Sequence, residues 1–253
     1  MRASVVRVLA GWDGFGVIEL ANLEVPGRFN GPSDSANGGV TCGLIAARFG
    51  PSAQVTVTLR LPPPLDMPLR IEQDETTLRA FRGTDLVADA SVVGGEIRPV
   101  PAVDLRASVE AMSRYEGFTE HPFPTCFVCG TGRAERDGLA IFAGPVDPGD
   151  PCRVAAPFTP HRTELAGIGL DGPPLVWAAL DCPGGWSIGL SGRRAVLGRM
   201  TARVEAVPED GEPCVVVAQC DGWDGRKAAS RVSLYGGSGQ LLGVAAQTWI
   251  EVR

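Results

Sequence analysis

The fold is decided by the segment PPLVWAALDCPGG, residues 173–185. Two prolines suit the first turn of a helix, where the N–H groups have no acceptor within the helix. The next two turns have almost no polar face, which is typical of a helix buried on most sides. Asp181 is the exception, and a buried carboxylate must be paired, protonated or used in function. Pro183 and the two glycines after it predict that the helix ends or kinks just after Asp181.

Composition excludes several classes of protein. The chain has 253 residues, of which 44% are hydrophobic and 21% charged, and it has no run of 18 apolar residues, so we expect neither disorder nor a membrane span. The net charge is −6 and no block of Lys and Arg occurs, which disfavours nucleic-acid partners and anionic membranes. Residues 1–16 break their apolar run at Arg7 and lack a cleavage site for a signal peptidase, so we expect a cytoplasmic protein. Seven cysteines are then expected to be reduced thiols.

The chain contains one order of elements twice: two short strands, an apolar helix and four antiparallel strands. The segments are 15–29, 35–51 and 55–93 in the first copy, and 139–158, 173–185 and 197–252 in the second. We therefore predict an α+β protein with an N-terminal repeat at residues 1–110 and a C-terminal repeat at residues 138–253. Residues 111–137 would form the linker. An ordinary α+β protein whose repeat is a coincidence is the alternative.

This organisation resembles the hotdog fold, in which an antiparallel β-sheet wraps around a central α-helix. Two fused hotdog repeats in one chain resemble the double-hotdog acyl-CoA thioesterases, which include phenylacetyl-CoA and medium-chain acyl-CoA thioesterases. The motifs that carry the resemblance are FNGP (29–32) leading to NGG (37–39), ALD (179–181) and the last strand GVAAQTW (243–249). The resemblance implies a thioester hydrolase that acts on acyl-CoA and uses no cofactor apart from the coenzyme A of its substrate.

The resemblance also implies where the chemistry lies. In the phenylacetyl-CoA branch the helix begins His-Gly-Gly and carries an Asp eight residues after the first Gly. A backbone N–H there polarises the thioester carbonyl, and the Asp of the neighbouring copy activates water or attacks. Superposing the two helices of this chain pairs Gly38 with Pro173, Gly39 with Pro174, and Ala46 with Asp181. One site would then combine the Gly38 and Gly39 donors with Asp181, and the other, with prolines facing Ala46, would be inert.

Four further residues are candidates for substrate contacts or catalysis. Asn37 stands where the family often has His, and it would hold the thioester or water, or only cap the helix. Gln247 lies in a last strand similar to that of the medium-chain enzymes and would orient water, although the Asp-His pair of that branch is missing. Arg226 and Lys227 would bind the phosphates of coenzyme A, or are ordinary surface residues.

The motif Cys126-x-x-Cys129 has three interpretations. A zinc site would need four ligands, and His121 and Cys152 could complete the set. A redox pair would need a helix start in a βαβ unit, which the sequence does not suggest. We expect thiols that pack where the second repeat begins, and no metal. A Ser-His-Asp hydrolase is disfavoured, because the chain has two histidines and no Gly-x-Ser-x-Gly motif.

The sequence therefore favours a cytoplasmic acyl-CoA thioesterase with one composite site between two repeats. A non-catalytic protein that binds acyl-CoA or another acyl ligand is the main alternative. A hydratase or dehydratase of the same fold is a third, but it would want a His beside the acid. Double-hotdog units often pair again, so a homodimer is a further expectation.

Overall fold

The structure is a computed structural model, and it describes residues 7–9 and 17–252. The expectation about a signal peptide concerns residues 1–16, of which residues 1–6 and 10–16 lie outside the described residues. The strands are β1 (Arg7–Leu9), β2 (Val17–Leu23), β3 (Val55–Leu59), β4 (Leu69–Gln73), β5 (Thr77–Arg82), β6 (Asp85–Val92), β7 (Gly144–Asp147), β8 (Asp150–Phe158), β9 (Ala195–Val204), β10 (Cys214–Asp224), β11 (Lys227–Tyr235) and β12 (Leu241–Glu251). The α-helices are α1 (Gly38–Ala46), α2 (Leu105–Met112), α3 (Arg162–Gly167) and α4 (Pro173–Ser187), and short 3₁₀ turns cover Gly27–Phe29, Ala47–Phe49 and Glu116–Phe118. No helix among the described residues is long and apolar enough to cross a membrane.

The strands form one sheet in the order β1-β2-β4-β5-β6-β3-β9-β12-β11-β10-β8-β7. The two halves of this order have the same topology, since β7, β8 and β9 to β12 occupy the places of β1, β2 and β3 to β6. The halves join where β3 and β9 pair antiparallel, with Thr56 opposite Thr201 and their hydroxyl oxygens 2.7 Å apart. The predicted α+β architecture with a duplicated antiparallel sheet is confirmed.

The central helices α1 and α4 pack against each other and against the sheet. Helix α4 is buried from Pro174 to Ser187, as its apolar sequence predicts. Close packing depends on glycine in α1: a Cβ on Gly39 would lie 2.4 Å from the Cβ of Asp181, and a Cβ on Gly43 would lie 2.7 Å from the Cβ of Trp177. Glycine at these two positions therefore lets the helices approach almost to backbone contact.

The predicted end of the helix just after Asp181 is wrong, because α4 continues through Pro183 to Ser187, and the alternative, a kink at Pro183, stays a prediction. Proline cannot donate to the carbonyl four residues earlier. Gln247 of β12 lies against this turn, and its Nε2 donates to the carbonyls of Leu180 at 2.8 Å and Asp181 at 3.2 Å. The glycine at position 184 leaves space for the Gln247 side chain, since a Cβ there would lie 1.7 Å from Gln247 Oε1. A side chain from the sheet thus supports the helix where proline weakens it.

The predicted strand pair at residues 15–29 is also placed wrongly. The first of the two predicted strands forms as β2, but it pairs with β1 and β4 and not with the second segment, in which Gly27–Phe29 is a 3₁₀ turn. Phe29 N donates to the carbonyl of Pro26 at 2.9 Å and Gly27 N to Asp66 Oδ1 at 2.7 Å. These local bonds replace the ladder that a strand would make.

The predicted linker contains ordered structure that contacts both halves. Helix α2 lies mostly before this segment and ends in it at Met112, and Arg114 Nε donates to the carbonyl of Pro145 in β7 at 2.9 Å. Further on, Phe127 N donates to the carbonyl of Asn30 at 2.8 Å, and the Phe29 and Phe127 rings meet edge to face. The Cys-x-x-Cys turn is therefore packed against the loop that leads into α1.

Candidate active site

Asp181 lies on α4 directly opposite the first turn of α1. Its Oδ2 accepts from Gly39 N at 3.0 Å and from Asn37 Nδ2 at 2.8 Å. Asn37 is also the N-cap of α1, since its Oδ1 accepts from Val40 N at 2.9 Å. The side chain of Asn37 therefore caps the helix, as one interpretation expects, and also binds the carboxylate, whereas its contact with a thioester or water stays a prediction.

The second oxygen of the carboxylate is buried and unpaired. Asp181 is 2% exposed, and among the residues that the structure describes no group hydrogen-bonds to Oδ1. Burial raises the pKa of Asp181 to about 7, because desolvation outweighs the hydrogen bonds from Gly39 and Asn37 that favour the ionised form. An orphan acceptor in this position is suited to a ligand or a water molecule.

Asp181 lines a cavity of about 420 Å³ at the N-terminus of α1. The wall beside it is polar and sulfur-rich, with Asn37, Gly38 and three cysteines. The remaining wall is largely apolar and includes Leu59, Leu61, Phe123, Leu190, Leu197, Trp249 and Ile250. A cavity with one buried acid at its end and apolar sides fits a ligand with a reactive polar group on an apolar chain.

One amide in the first turn of α1, that of Gly38, has no hydrogen-bond partner among the described residues. Gly39 N donates to Asp181, Val40 N to Asn37 Oδ1, and Thr41 N to the carbonyl of Asn37 at 3.0 Å. Gly38 N is the remaining amide of the turn, and Gly38 lines the cavity. The two predicted donors therefore differ: Gly39 N binds the carboxylate of Asp181, whereas Gly38 lines the cavity and its contact with a ligand stays a prediction.

The sulfurs of Cys126, Cys129 and Cys182 form a buried cluster within 4.8 Å of one another. Cys126 Sγ and Cys182 Sγ are 3.6 Å apart, and Asn37 Nδ2 lies 3.7 and 3.8 Å from these two sulfurs. Hydrogen bonds from Cys129 and Cys182 hold the pKa of the Cys126 thiol well below its usual value. The cluster lines the same cavity as Asp181.

The four predicted zinc candidates do not meet as a set. His121 uses both ring nitrogens on the backbone, with Nε2 3.0 Å from the carbonyl of Cys129 and Nδ1 accepting from Phe123 N at 2.9 Å. Cys152 lies exposed in β8, beside Cys220. The residue that lies beside Cys126 and Cys129 is Cys182. Sequence reasoning did not identify it as a candidate, although it directly follows Asp181.

Gln247 does not line the cavity, and both polar atoms of its side chain are hydrogen-bonded to protein groups, so the water-orienting role stays a prediction. Its Nε2 bonds to the carbonyls of Leu180 and Asp181, and its Oε1 accepts from Ser230 Oγ at 3.1 Å and Trp249 Nε1 at 3.0 Å. Its role is to support α4, which is an indirect contribution to the position of Asp181.

Arg226 and Lys227 lie exposed at the turn between β10 and β11, and neither lines the cavity. Arg226 Nη2 donates to the carbonyl of Glu251 at 2.8 Å. A role with the phosphates of coenzyme A stays a prediction for both residues.

The opposite end of the α1 and α4 pair has no comparable chemistry. Pro173 and Pro174 have no N–H to donate, and the N-cap, Gly172, has no capping side chain. Ala46 is buried and apolar. A second cavity of about 580 Å³ is lined by parts of residues 135–142 and 157–168 and touches neither Ala46 nor these prolines.

Comparison with known proteins supports the fold. No family model matches the sequence, and no curated protein matches it. Solved structures match over nearly the whole chain. A thioesterase-like protein from Novosphingobium aromaticivorans is 17% identical, with 97% of this chain and 99% of that chain covered and a TM-score of 0.57.

Two further structures match in the same way. Acyl-CoA thioesterase II from Mycobacterium marinum is 10% identical, with 93% of each chain covered and a TM-score of 0.54. A conserved protein of unknown function with a hotdog fold from Alicyclobacillus acidocaldarius is 13% identical, with 96% of this chain and 95% of that chain covered and a TM-score of 0.52. With two topologically identical halves in one sheet, this chain has the double-hotdog fold.

Proposed function

We propose that the protein hydrolyses an acyl-CoA thioester at one composite site, formed by the N-terminus of α1 and Asp181 of α4. The observation that carries the proposal is the buried, unpaired Oδ1 of Asp181, a residue that lines the same cavity as Gly38. The structural likeness to an acyl-CoA thioesterase II supports the choice of substrate class, although fold alone does not define an activity.

Each group has a definite task in the proposed reaction. Gly39 N and Asn37 Nδ2 fix Oδ2 of the carboxylate, which leaves Oδ1 to accept a proton from water. The water oxygen attacks the thioester carbon, and the carbonyl oxygen becomes an oxyanion. The N–H of Gly38 and the positive end of the α1 dipole stabilise that charge. The intermediate then expels the thiolate of coenzyme A, which takes the proton from Asp181 and leaves as the thiol.

The environment of Asp181 suits a general base. A pKa of about 7 keeps a useful share of the carboxylate ionised near neutral pH while making it more basic than an exposed Asp. Its ionised form keeps two N–H donors, so the charge is compensated within the protein.

A thiol-release assay over a panel of acyl-CoA esters tests this function. Wild type is compared with Asp181→Asn, which keeps the size of the side chain and an oxygen that can accept from Gly39. We expect the rate of the variant to fall by roughly 100- to 10,000-fold, the range attributed to general-base catalysis. Pro173→Ala, at the opposite end of the helix pair, is the matched control and should keep full activity.

Two results would contradict the proposal. Full activity of Asp181→Asn would remove Asp181 from the reaction. Binding of acyl-CoA by the wild type without release of thiol from any ester would favour the non-catalytic binding protein.

A further inference from the structure

We propose that Cys126, Cys129 and Cys182 bind one zinc ion in the wall of the cavity. The inference rests on the placement of these sulfurs and is independent of the proposed hydrolysis. All three side chains are buried, at 3%, 2% and 6% exposure, and they approach from two parts of the chain, the Cys-x-x-Cys turn and helix α4. Soft thiolate ligands select zinc over magnesium, calcium and manganese.

The spacing of the sulfurs is that of metal ligands. Tetrahedral zinc with bonds of about 2.3 Å places two sulfurs about 3.8 Å apart. The sulfurs of Cys126 and Cys182 are 3.6 Å apart, and all three fall within 4.8 Å. A disulfide would require a distance of about 2.05 Å between two sulfurs. The observed distances therefore suit three thiolates that bind one ion better than two cysteines that form a covalent bond.

The turn that carries two of the ligands is held rigidly by its surroundings. Gly130 N donates to the carbonyl of Cys126 at 2.8 Å, and a Cβ on Gly130 would lie 2.5 Å from that oxygen, so only glycine fits there. The carbonyl of Cys129 accepts from Tyr115 Oη at 2.8 Å and lies 3.0 Å from His121 Nε2. These contacts fix the geometry of the sulfurs in the way that outer contacts orient metal ligands.

The third ligand is held by the contacts of α4 with α1. Cys182 follows Asp181, whose carboxylate is fixed by Gly39 and Asn37. Asn37 Nδ2 also points toward the sulfurs of Cys126 and Cys182, at 3.7 and 3.8 Å. An N–H donor next to two sulfurs stabilises the negative charge that thiolate ligands carry.

The fourth position of the proposed ion opens to the cavity. Among the described residues no His, Asp or Glu side chain joins the three sulfurs in one group, and all three cysteines line the cavity. Structural zinc sites are closed by four protein ligands, whereas sites with three keep a position for water or another exchangeable ligand. The proposed site belongs to the second kind.

Metal analysis of the full chain, purified without chelator and incubated with zinc chloride before dialysis, tests the proposal. We expect one zinc ion per chain in the wild type. Replacing zinc with cobalt(II) should give the intense visible bands of a tetrahedral site and a thiolate-to-cobalt charge-transfer band. The Cys182→Ala variant should bind zinc roughly 100-fold more weakly or worse, since even loss of an outer contact costs about 10- to 100-fold.

Cys214→Ala is the matched control, because Cys214 is fully buried but lies outside the group, and it should bind zinc like the wild type. The cobalt spectrum of the wild type keeps the test decisive if Cys182→Ala fails to fold. Wild-type protein that retains no zinc and shows no charge-transfer band would overturn the proposal. Unchanged zinc affinity in folded Cys182→Ala would also overturn it. So would a disulfide between two of these cysteines that forms when the protein is purified in air, whether or not zinc is present.

Discussion

The two ends of the α1 and α4 pair share one scaffold and differ in chemistry. At one end, Asn37 and Gly39 at the N-terminus of α1 donate to the carboxylate of Asp181, and Gly38 lines the cavity beside it. At the other end, the N-terminus of α4 begins with two prolines, and the residue of α1 that corresponds to Asp181 is Ala46. Duplication has preserved the sheet and the helix packing, while the polar groups remain at one end only.

The difference shows that donor and acid depend on each other. A buried carboxylate needs N–H groups to offset its desolvation, and proline cannot supply them. Gly39 also has to be glycine for Asp181 to come within hydrogen-bonding distance. We therefore expect a repeat unit that has the buried acid on one helix to have glycines at the start of the facing helix, and a unit that lacks the glycines to lack the acid.

Introducing an acid at the opposite end of the helix pair is expected to have the largest effect on stability. In Ala46→Asp the new carboxylate is buried without the N–H donors that Asp181 has, so we expect a loss of roughly 3–5 kcal/mol in the free energy of unfolding. Chemical denaturation measures it, and Ala46→Ser, which adds a polar group without charge, should lose less. Equal stability of Ala46→Asp and wild type would show that the ends do not differ in the way described.

Filling the contact between the helices at the intact end is expected to have the next largest effect. The Cβ of Gly39→Ala would lie 2.4 Å from the Cβ of Asp181 and 2.8 Å from the carbonyl oxygen of Trp177. We expect about 1–3 kcal/mol of destabilisation, with loss of thioester hydrolysis because Asp181 is displaced. Gly167→Ala in α3 is the control, since nothing lies within 4 Å of its Cβ. A Gly39→Ala variant as stable and active as Gly167→Ala would argue against close helix contact at this end.

Removing the support of α4 should give a smaller effect. Gln247→Leu leaves the carbonyls of Leu180 and Asp181 without their side-chain donor, which is expected to cost about 1–2 kcal/mol. The folded variant should keep most of its thioesterase rate, because Gln247 does not line the cavity. Gln219→Leu, whose amide makes only a 3.4 Å bond to the carbonyl of Cys220, is the matched control. A rate that collapses while stability is unchanged would restore the water-orienting role.

Local sequence predicts much of this molecule. The repeated order of strands, the burial of α4 and the N-cap of α1 follow from periodicity, turn residues and capping chemistry. The resemblance to the hotdog thioesterases, applied to the two superposed helices, also implies that Gly39 and Asp181 are neighbours, as their hydrogen bond shows, although the catalytic roles stay predictions.

Contacts between distant residues explain what the sequence does not predict. Helix α4 continues past Pro183, and Gln247, more than sixty residues later, donates to two carbonyls of that part of the helix. Cys182 joins Cys126 and Cys129 because α4 and the Cys-x-x-Cys turn meet at the N-terminus of α1. Neither contact has a signal in local pattern or spacing.

The central claim is that one of the two related ends of the helix pair is a working site. Isothermal titration of the wild-type chain with hydrolysis-resistant thioether analogues of acetyl-, octanoyl- and phenylacetyl-CoA measures this directly, because it counts binding sites per chain. We predict one analogue bound per chain, with binding weakened in Gly39→Ala and unchanged in Pro173→Ala. Two equivalent sites per chain, or loss of binding in Pro173→Ala alone, would contradict it.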